Sequence, residues 1–430
     1  NEAVEMLGDS IDEEYATSGG KGGLGQLVEK FYYGYEPNSN PGPDFAEAGV
    51  ELKTTPLKKD AQGELRIKER LVCDMIDYCE VVHVPFEQSK FYRKSLMMLI
   101  LFYLHQKGAD LRDLKFLFSV LWQLKEKDLL IIRHDYEVIV EKIKAGKAHE
   151  LSEGDTLYLG ACRKGQKGDS LRKQPYSDKD APRRAFSLKP AYMRTILAFV
   201  KQSGQDMATN TGIPLARGCE LVSEAELATT PFEDILTTRL LRFKGQDYRQ
   251  MAKAIGIQVS PREKSRYARV IQAALRKGLH SFEDAEEFRK AGIIVKTIRL
   301  RADGRIKESM SFENIDYREV YETDEWTDSR WYEIATSRFL FVVFRESPSG
   351  SWGNEPRYVL DKVFFWTMPP EDLKCAKEYW DNIRANVCAD TLQDADNTFW
   401  RLADKRDFHV RPKAQKGKDR NASPVSGTGV

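Results

Sequence analysis

A chain of 430 residues, 41% hydrophobic and 31% charged, has the make-up of a globular protein with two or three domains, each large enough to bury its own core. Its six cysteines include no CxxC pair and its six histidines no HxxxH pair. That excludes a disulfide framework or a zinc site and makes a reducing cytoplasm the expected location. The formal net charge of +1 argues against a polyanionic partner only on average: residues 160–201 carry eleven Lys or Arg against three acids, and 405–420 carry seven against two. Local patches, not the net value, steer nucleic acid.

In chain order, the first predicted element is an amphipathic helix over Lys21–Phe31, KGGLGQLVEKF, opened by glycines at 20, 22, 23 and 25 and carrying Glu29. Asp44 then stands before a turn at Gly49, and an apolar strand runs through Glu51 and Lys53 to Thr54 and Thr55. The two-residue period of a strand puts Glu51 and Lys53 on one face, and a tight reversal returns the Asp44 carboxylate to the same place. A buried strand is expected over Leu96–Tyr103; the apolar run there, to Leu104, is the longest in the chain and far too short to cross a bilayer. Residues 202–230, rich in Gly, Ser, Thr and Ala, read as a linker between a first domain (1–201) and a second (231–430). Helical periodicity resumes over Pro231–Ala254; Tyr248–Ile257 resembles the opening of a helix-turn-helix, but Lys264–Ala274 already has a counterpart in the first half, which argues against a recognition helix there. No signal peptide is visible, and the chain begins at Asn1 without Met.

A repeat underlies this order. DFAEAGVELKT (Asp44–Thr54) recurs 243 residues later as EFRKAGIIVKT (Glu287–Thr297). At the same offset KGGLGQLVEKF lies over KSRYARVIQAA (Lys264–Ala274), and LMMLILFY (Leu96–Tyr103) over FLFVVFRE (Phe339–Glu346). CRKGQKGD (Cys162–Asp169) faces VRPKAQKGKD (Val410–Asp419) at a slightly larger offset, as loops of differing length produce. Four blocks in one order point to a duplication, with helices and apolar strands in each copy, hence an α/β class.

Only the first copy has the residues for a metal centre. Asp44 and Glu51 offer two hard carboxylates, with a neighbouring backbone carbonyl, to Mg²⁺, for which Mn²⁺ is the natural substitute. Lys53 beside that ion can orient a water and offset charge on a pentacovalent phosphorus, and Glu29 can reach the cluster as an outer ligand. Asp-x(6)-Glu-x-Lys alone also fits a strand with a surface ion pair. The apolar setting, the downstream basic blocks and the loss of Glu51 to Ile294 in the second copy favour the metal site. A carboxylate pair held together without a cation would repel itself.

These residues resemble the MutH-like nucleases, a family of mismatch-repair nicking enzymes and type II restriction endonucleases that cut at GATC. The resemblance rests on KGGLGQLVE (Lys21–Glu29), PDFAEAGVELKT (Pro43–Thr54), RKSLMMLILF (Arg93–Phe102), His149–Gly168 and RRAFSLK (Arg183–Lys189). With the second copy it covers nearly the whole chain, closest to the two-domain GATC-cutting enzymes. It implies tandem restriction-endonuclease-like domains, the second degenerate. It makes Asp44 and Glu51 metal ligands, Lys53 catalytic with Glu29 assisting, and Lys94 a second catalytic lysine. It places the base-reading loop at Arg163, Lys164, Gly165 and Lys167, where Arg or Lys can donate to guanine O6 and N7. Ser187 then lies where the nicking enzyme carries a Tyr near the adenine tested for methylation, and Lys189 near a phosphate. That departure favours a restriction enzyme blocked by N6-methyladenine, partnered by a cognate adenine methyltransferase, over a nickase of hemimethylated DNA.

At the second copy's metal position the 243 offset gives Gln272 for Glu29, Ile294 for Glu51 and Ser337 for Lys94, leaving Glu287 and Lys296. This half should not cut. Its basic block, with Arg411, Lys413 and Lys416, is expected to bind a second stretch of double-stranded DNA and activate the first half. The alternative functions are a MutH-type nickase and a DNA-binding regulator that does not cleave.

Overall fold

The computed structural model describes residues 23–36, 40–60, 63–106, 108–110, 113–164, 171–204, 207–210, 219–352, 355–392, 399–404, 406–409 and 423–426. The chain divides into two units, Asn1–Phe232 with Glu283–Gly292, and Glu233–Phe282 with Ile293–Val430.

Helix α1 (Gly23–Leu27) runs directly into a π-helical turn, Val28–Tyr32. Strands β1 (Glu51–Lys59), β2 (Leu65–Ile67) and β3 (Leu71–Met75) precede helices α2 (Tyr78–Val81) and α3 (Lys90–Ser95). Strands β4 (Met97–Leu104) and β5 (Phe116–Gln123) lead into the long α4 (Glu126–Lys144). Then follow β6 (Leu159–Arg163), a short ribbon of β7 (Leu171–Arg172) and β8 (Ala181–Pro182), β9 (Arg184–Leu188), α5 (Pro190–Ser203), β10 (Met207–Thr209) and α6 (Glu224–Leu227). The remainder comprises α7 (Phe232–Leu241), α8 (Tyr248–Ile255), α9 (Arg266–Leu275), α10 (Glu286–Ala291), β11 (Ile294–Leu300), α11 (Tyr317–Glu322), α12 (Arg330–Ala335), β12 (Phe339–Trp352), β13 (Glu355–Trp366) and α13 (Pro370–Cys388).

The first unit holds a mixed five-stranded sheet, ordered β10-β5-β4-β1-β2, and a three-stranded antiparallel sheet, β3-β9-β6. β4 alternates strictly: Met98, Ile100 and Phe102 are fully buried while their neighbours are half-exposed. That period-2 pattern is why LMMLILFY forms a strand, and each such burial contributes about 1.5–3 kcal/mol. Trp122 of β5 closes this core edge-on against Tyr192 and Phe199 of α5, at 6.4 and 5.7 Å. On α4, Ile132, Tyr136, Ile139, Val140 and Ile143 recur at helical spacing and are buried. Tyr136 stacks on Phe186 of β9 at 5.2 Å.

One sequence expectation changes here, and the doubt about a recognition helix is met by the chain itself. The 202–230 span is not simply a linker: β10 extends the five-stranded sheet in parallel with β5, and buried Asn210 bonds both the N–H and the C=O of Gln123, at 2.7 and 2.9 Å. The connection 256–265 between α8 and α9 is too long for the three- or four-residue turn of a helix-turn-helix.

The second unit pairs β11 with β12 in parallel and β12 with β13 antiparallel, and then runs into α13. In the first unit β1, β4, β5 and α4 follow the same scheme. The caps recur as well. Asp77 accepts from Cys79 N and Glu80 N at the head of α2, as Asp316 accepts from Arg318 N and Glu319 N at α11. Ser89 accepts from Tyr92 N at α3, and Ser329 from Tyr332 N at α12. These landmarks correct the register at one point. Glu51 pairs with Met98 and Ile294 with Phe339, so the second strand of the pair is two residues off the 243 offset. Counted from the two serine caps, Lys94 in α3 and Ile334 in α12 hold the same place, whereas the 243 offset gives Ser337.

Candidate active site

The reversal before β1 comes from local chain chemistry. Phe45 and Val50 exchange backbone bonds at 2.9 and 3.2 Å, and Gly49 takes a left-handed φ of +66° that a side chain would resist. This folds Asp44 back along the strand, where its Oδ2 accepts from Leu52 N at 2.9 Å while its own N–H donates to Glu51 Oε2 at 3.3 Å.

Glu51 is 2% exposed, a carboxylate that must be compensated to stay charged. Two ammoniums converge on its Oε1: Lys53 at 2.7 Å and Lys94 at 3.3 Å. Lys94 arrives from the last turn of α3, which Ser89 caps. Lys53 also reaches the Cys73 carbonyl at 3.5 Å. Burial opposes the Lys53 charge, but the carboxylates of Glu51 and Asp44 outweigh it and hold the ammonium above the ordinary lysine value. Glu29 lies on the π-helical turn, with the wide backbone bond from Tyr33 N to Val28 O at 3.1 Å. Such turns are frequent at functional sites. Burial, then Asp44 and Glu51, push its carboxyl above the usual range, while Lys94 and Lys53 pull it back. The structure therefore brings Glu29, Asp44, Glu51, Lys53 and Lys94 into one electrostatic neighbourhood.

Three carboxylates against two ammoniums leave an excess of negative charge where a phosphodiester would have to lie. A divalent cation would remove that conflict. Among the described residues no group of three His, Cys, Asp or Glu side chains is arranged to hold a metal alone. Two carboxylates with a backbone carbonyl still fit Mg²⁺, which keeps several waters and completes its shell with phosphate oxygens. The pair of cationic groups already drawn to Glu51 Oε1 shows where positive charge is favoured.

The expected DNA-reading residues are placed less uniformly. Arg163 is exposed and Lys164 half-buried at the end of β6, with Lys164 N bonded to Arg183 O at 2.8 Å. Gly165 and Lys167 lie outside the described residues, as do Arg411, Lys413 and Lys416. Ser187 and Lys189 are not brought to that surface. Ser187 is 1% exposed at the centre of the β3-β9-β6 sheet. Lys189 is 6% exposed, donates to the Thr156 carbonyl and packs its stem beside Gly160, a structural use of an amphipathic side chain.

Glu287, which the 243 offset sets against Asp44, is committed elsewhere. It sits on helix α10 rather than on a turn, is 1% exposed, and accepts from Leu221 N, Val222 N and Lys127 Nζ, the last at 2.8 Å. Lys296 donates to the Ser311 carbonyl at 2.6 Å.

Over 456 aligned residues the chain is 33% identical to the type II restriction enzyme Sau3AI of Staphylococcus aureus, across 98% of this chain and 88% of that protein. The chain belongs to the Sau3AI family of restriction enzymes. Like its relative, this Sau3AI-family chain is a type II site-specific deoxyribonuclease. The family model of the DNA mismatch repair enzyme MutH matches residues 33–135, which hold Asp44, Glu51, Lys53 and Lys94. MutH proteins from Shewanella amazonensis and Yersinia enterocolitica are 30% and 29% identical over 141 residues, 32% of this chain and 61% and 60% of theirs. The restriction-enzyme likeness thus spans both units of this Sau3AI relative, and the MutH likeness only a segment.

Sequence reasoning missed the Cys73 carbonyl as a partner of Lys53 and the structural use of Glu287. Neither has a local signature: the first depends on β3 passing beside β1, the second on a helix docking more than sixty residues from the N–H groups it binds.

Proposed function

We propose that this restriction enzyme makes Mg²⁺-dependent double-strand cuts at unmethylated GATC, with Asp44 and Glu51 holding the cation. The observation that carries the reading is the convergence of Lys53 and Lys94 on buried Glu51 beside Asp44. When bound, the cation supplies charge neutralisation and Lewis acidity at the scissile phosphate. Glu51 and Asp44 fix its place through the strand and the Leu52 N–H. Lys53 orients the attacking water and, with Lys94, offsets charge developing on the non-bridging oxygens. Water oxygen bonds to phosphorus, giving up a proton to solvent, as the bond to the 3′ oxygen breaks; that oxygen takes a proton from solvent, leaving a 3′-hydroxyl and a 5′-phosphate, with the cut before the G. Exposed Arg163 and half-buried Lys164, at the end of β6, would make the major-groove contacts.

The second unit is read as a degenerate copy, in keeping with its matching caps and strand pairing and with Ile294 and Ile334 at the positions of Glu51 and Lys94. In this reading it binds another DNA site and favours the cutting-competent state of the first. Digesting plasmids that carry one or two GATC sites in Mg²⁺, and sequencing the ends, tests both parts. Double-strand fragments ending before the G, blocked by N6-methyladenine, and faster cutting of the two-site plasmid are expected. Nicks alone would mean a MutH-type activity. Equal rates, with no stimulation by a short GATC duplex, would remove the activating role. Glu51→Ala should slow cutting by at least ~10³-fold while changing DNA affinity by no more than about threefold.

A further inference from the structure

One acid beside this site has no place in the scheme above. Asp74 lies on β3, the strand whose Cys73 carbonyl is 3.5 Å from Lys53 Nζ. β3 is irregular at this point: Val72 pairs with Ser187 and Asp74 with Phe186, so Cys73 and Asp74 together oppose one residue of β9. A bulge of this kind re-aims the side chain that follows it and is common beside active sites. Helix α3 packs on β3, and Lys90 and Lys94, four apart, share one of its faces. Asp74 is half-buried and makes no ion pair within 4 Å among the described residues. Burial raises its carboxyl above the usual range, while a bond from Met75 N and the charges of Lys90, Lys94 and Lys53 draw it back. The lysines it feels thus include the two that converge on Glu51.

That arrangement matters once a divalent cation takes Glu51. Lys53 and Lys94 now share Glu51 Oε1, and a dication there repels both. Lys90 has another carboxylate, Glu80 at 3.5 Å. Lys94 and Lys53 then need another counter-charge, and Asp74 on the neighbouring β3 is an acid that feels the charge of both. We propose that Asp74 is a positioning residue of the nuclease site, the counter-charge that keeps Lys94 and Lys53 charged and turned toward the scissile phosphate when the metal occupies Glu51. The proposal rests on the metal reading of Asp44 and Glu51. In its absence the lysines stay tethered to Glu51 and compete with the ion.

The test compares wild type, Asp74→Asn and Asp74→Glu by turnover on plasmid, by thermal melting, and by Mn²⁺ uptake of the chain bound to a GATC duplex of uncleavable phosphate chemistry, followed through the loss of the free-ion EPR signal. For Asp74→Asn we expect kcat to fall roughly tenfold with KM for DNA changed less than about twofold, and Mn²⁺ affinity to weaken roughly threefold. Asp74→Glu should restore most of both, and in a Lys94→Ala background Asp74→Asn should add less than about twofold. Unchanged turnover and Mn²⁺ affinity in Asp74→Asn would overturn the role. So would losses that follow the melting temperature and are not rescued by glutamate. If wild type itself takes up no Mn²⁺, the metal reading fails first; if wild type takes it up and Asp74→Asn is indistinguishable, only the present inference fails.

Discussion

Glu51 and Asp135 show two ways in which a buried carboxylate is tolerated. Glu51 is held by two ammoniums and a backbone N–H. Asp135 is 1% exposed and purely structural: it accepts from Leu157 N, Tyr158 N and Leu159 N at 2.7–2.9 Å, tying α4 to the entry of β6. Burial nevertheless outweighs those donors and pushes its carboxyl up to about 6. A carboxyl whose folded value lies above its unfolded value stabilises the fold fully below the unfolded value, and that contribution is lost as pH rises through the folded one. The window is about pH 4 to 6, and the change is roughly 3 kcal/mol for this fully buried group. Melting temperatures measured across that window should therefore fall with rising pH through Asp135, and Asp135→Asn should flatten the slope. An unaltered slope in the variant would show that the proton is taken up elsewhere.

At the scale of elements, the site is assembled from a strand, a reversal, a π-turn and the end of a helix. The strand and the reversal were legible in the sequence because period-2 polarity and a glycine at a turn are local signals. The π-turn that carries Glu29 was not, since a one-residue change in backbone bonding leaves amphipathic spacing nearly intact. Nor was the fate of Lys189, whose burial depends on Thr156 and Gly160 more than twenty-five residues away. Helix α10 makes the same point. Its sequence likeness to the Asp44 turn suggested the remnant of a metal loop, yet it forms a helix locked into the first unit. Lys290 Nζ is 2.7 and 2.9 Å from the two oxygens of Asp128 and 2.5 Å from Glu286, and Tyr192 also donates to Asp128 at 2.7 Å. With Lys290 and Asp128 both about 2% exposed, removing the cation strands a buried anion. Lys290→Met should destabilise the first unit by roughly 3–5 kcal/mol in chemical denaturation. A loss below about 1 kcal/mol would mean that water or a neighbouring cation reaches Asp128 readily.

For the whole molecule, the repeat was the most informative signal, and its limits are physical. A constant offset matched β1 to β11 and α1 to α9, but loops of unequal length moved the second strand of the pair by two residues and changed the counterpart of Lys94. Only strand pairing and serine caps corrected that. The domain boundary was blurred for a related reason: composition marks 202–230 as loop-like, whereas backbone pairing recruits part of it into the sheet, and residues 283–292 join the first unit despite lying in the second half. The central claim remains that the acids of the first half, and not those of the second, grip a divalent cation. Calorimetric titration of Mg²⁺ into the chain held on a GATC duplex of uncleavable phosphate chemistry tests it most directly. The account predicts saturable uptake that Glu51→Ala or Asp44→Asn abolishes and Glu287→Gln leaves intact. Uptake that survives loss of Glu51 and Asp44, or disappears with Glu287, would contradict it.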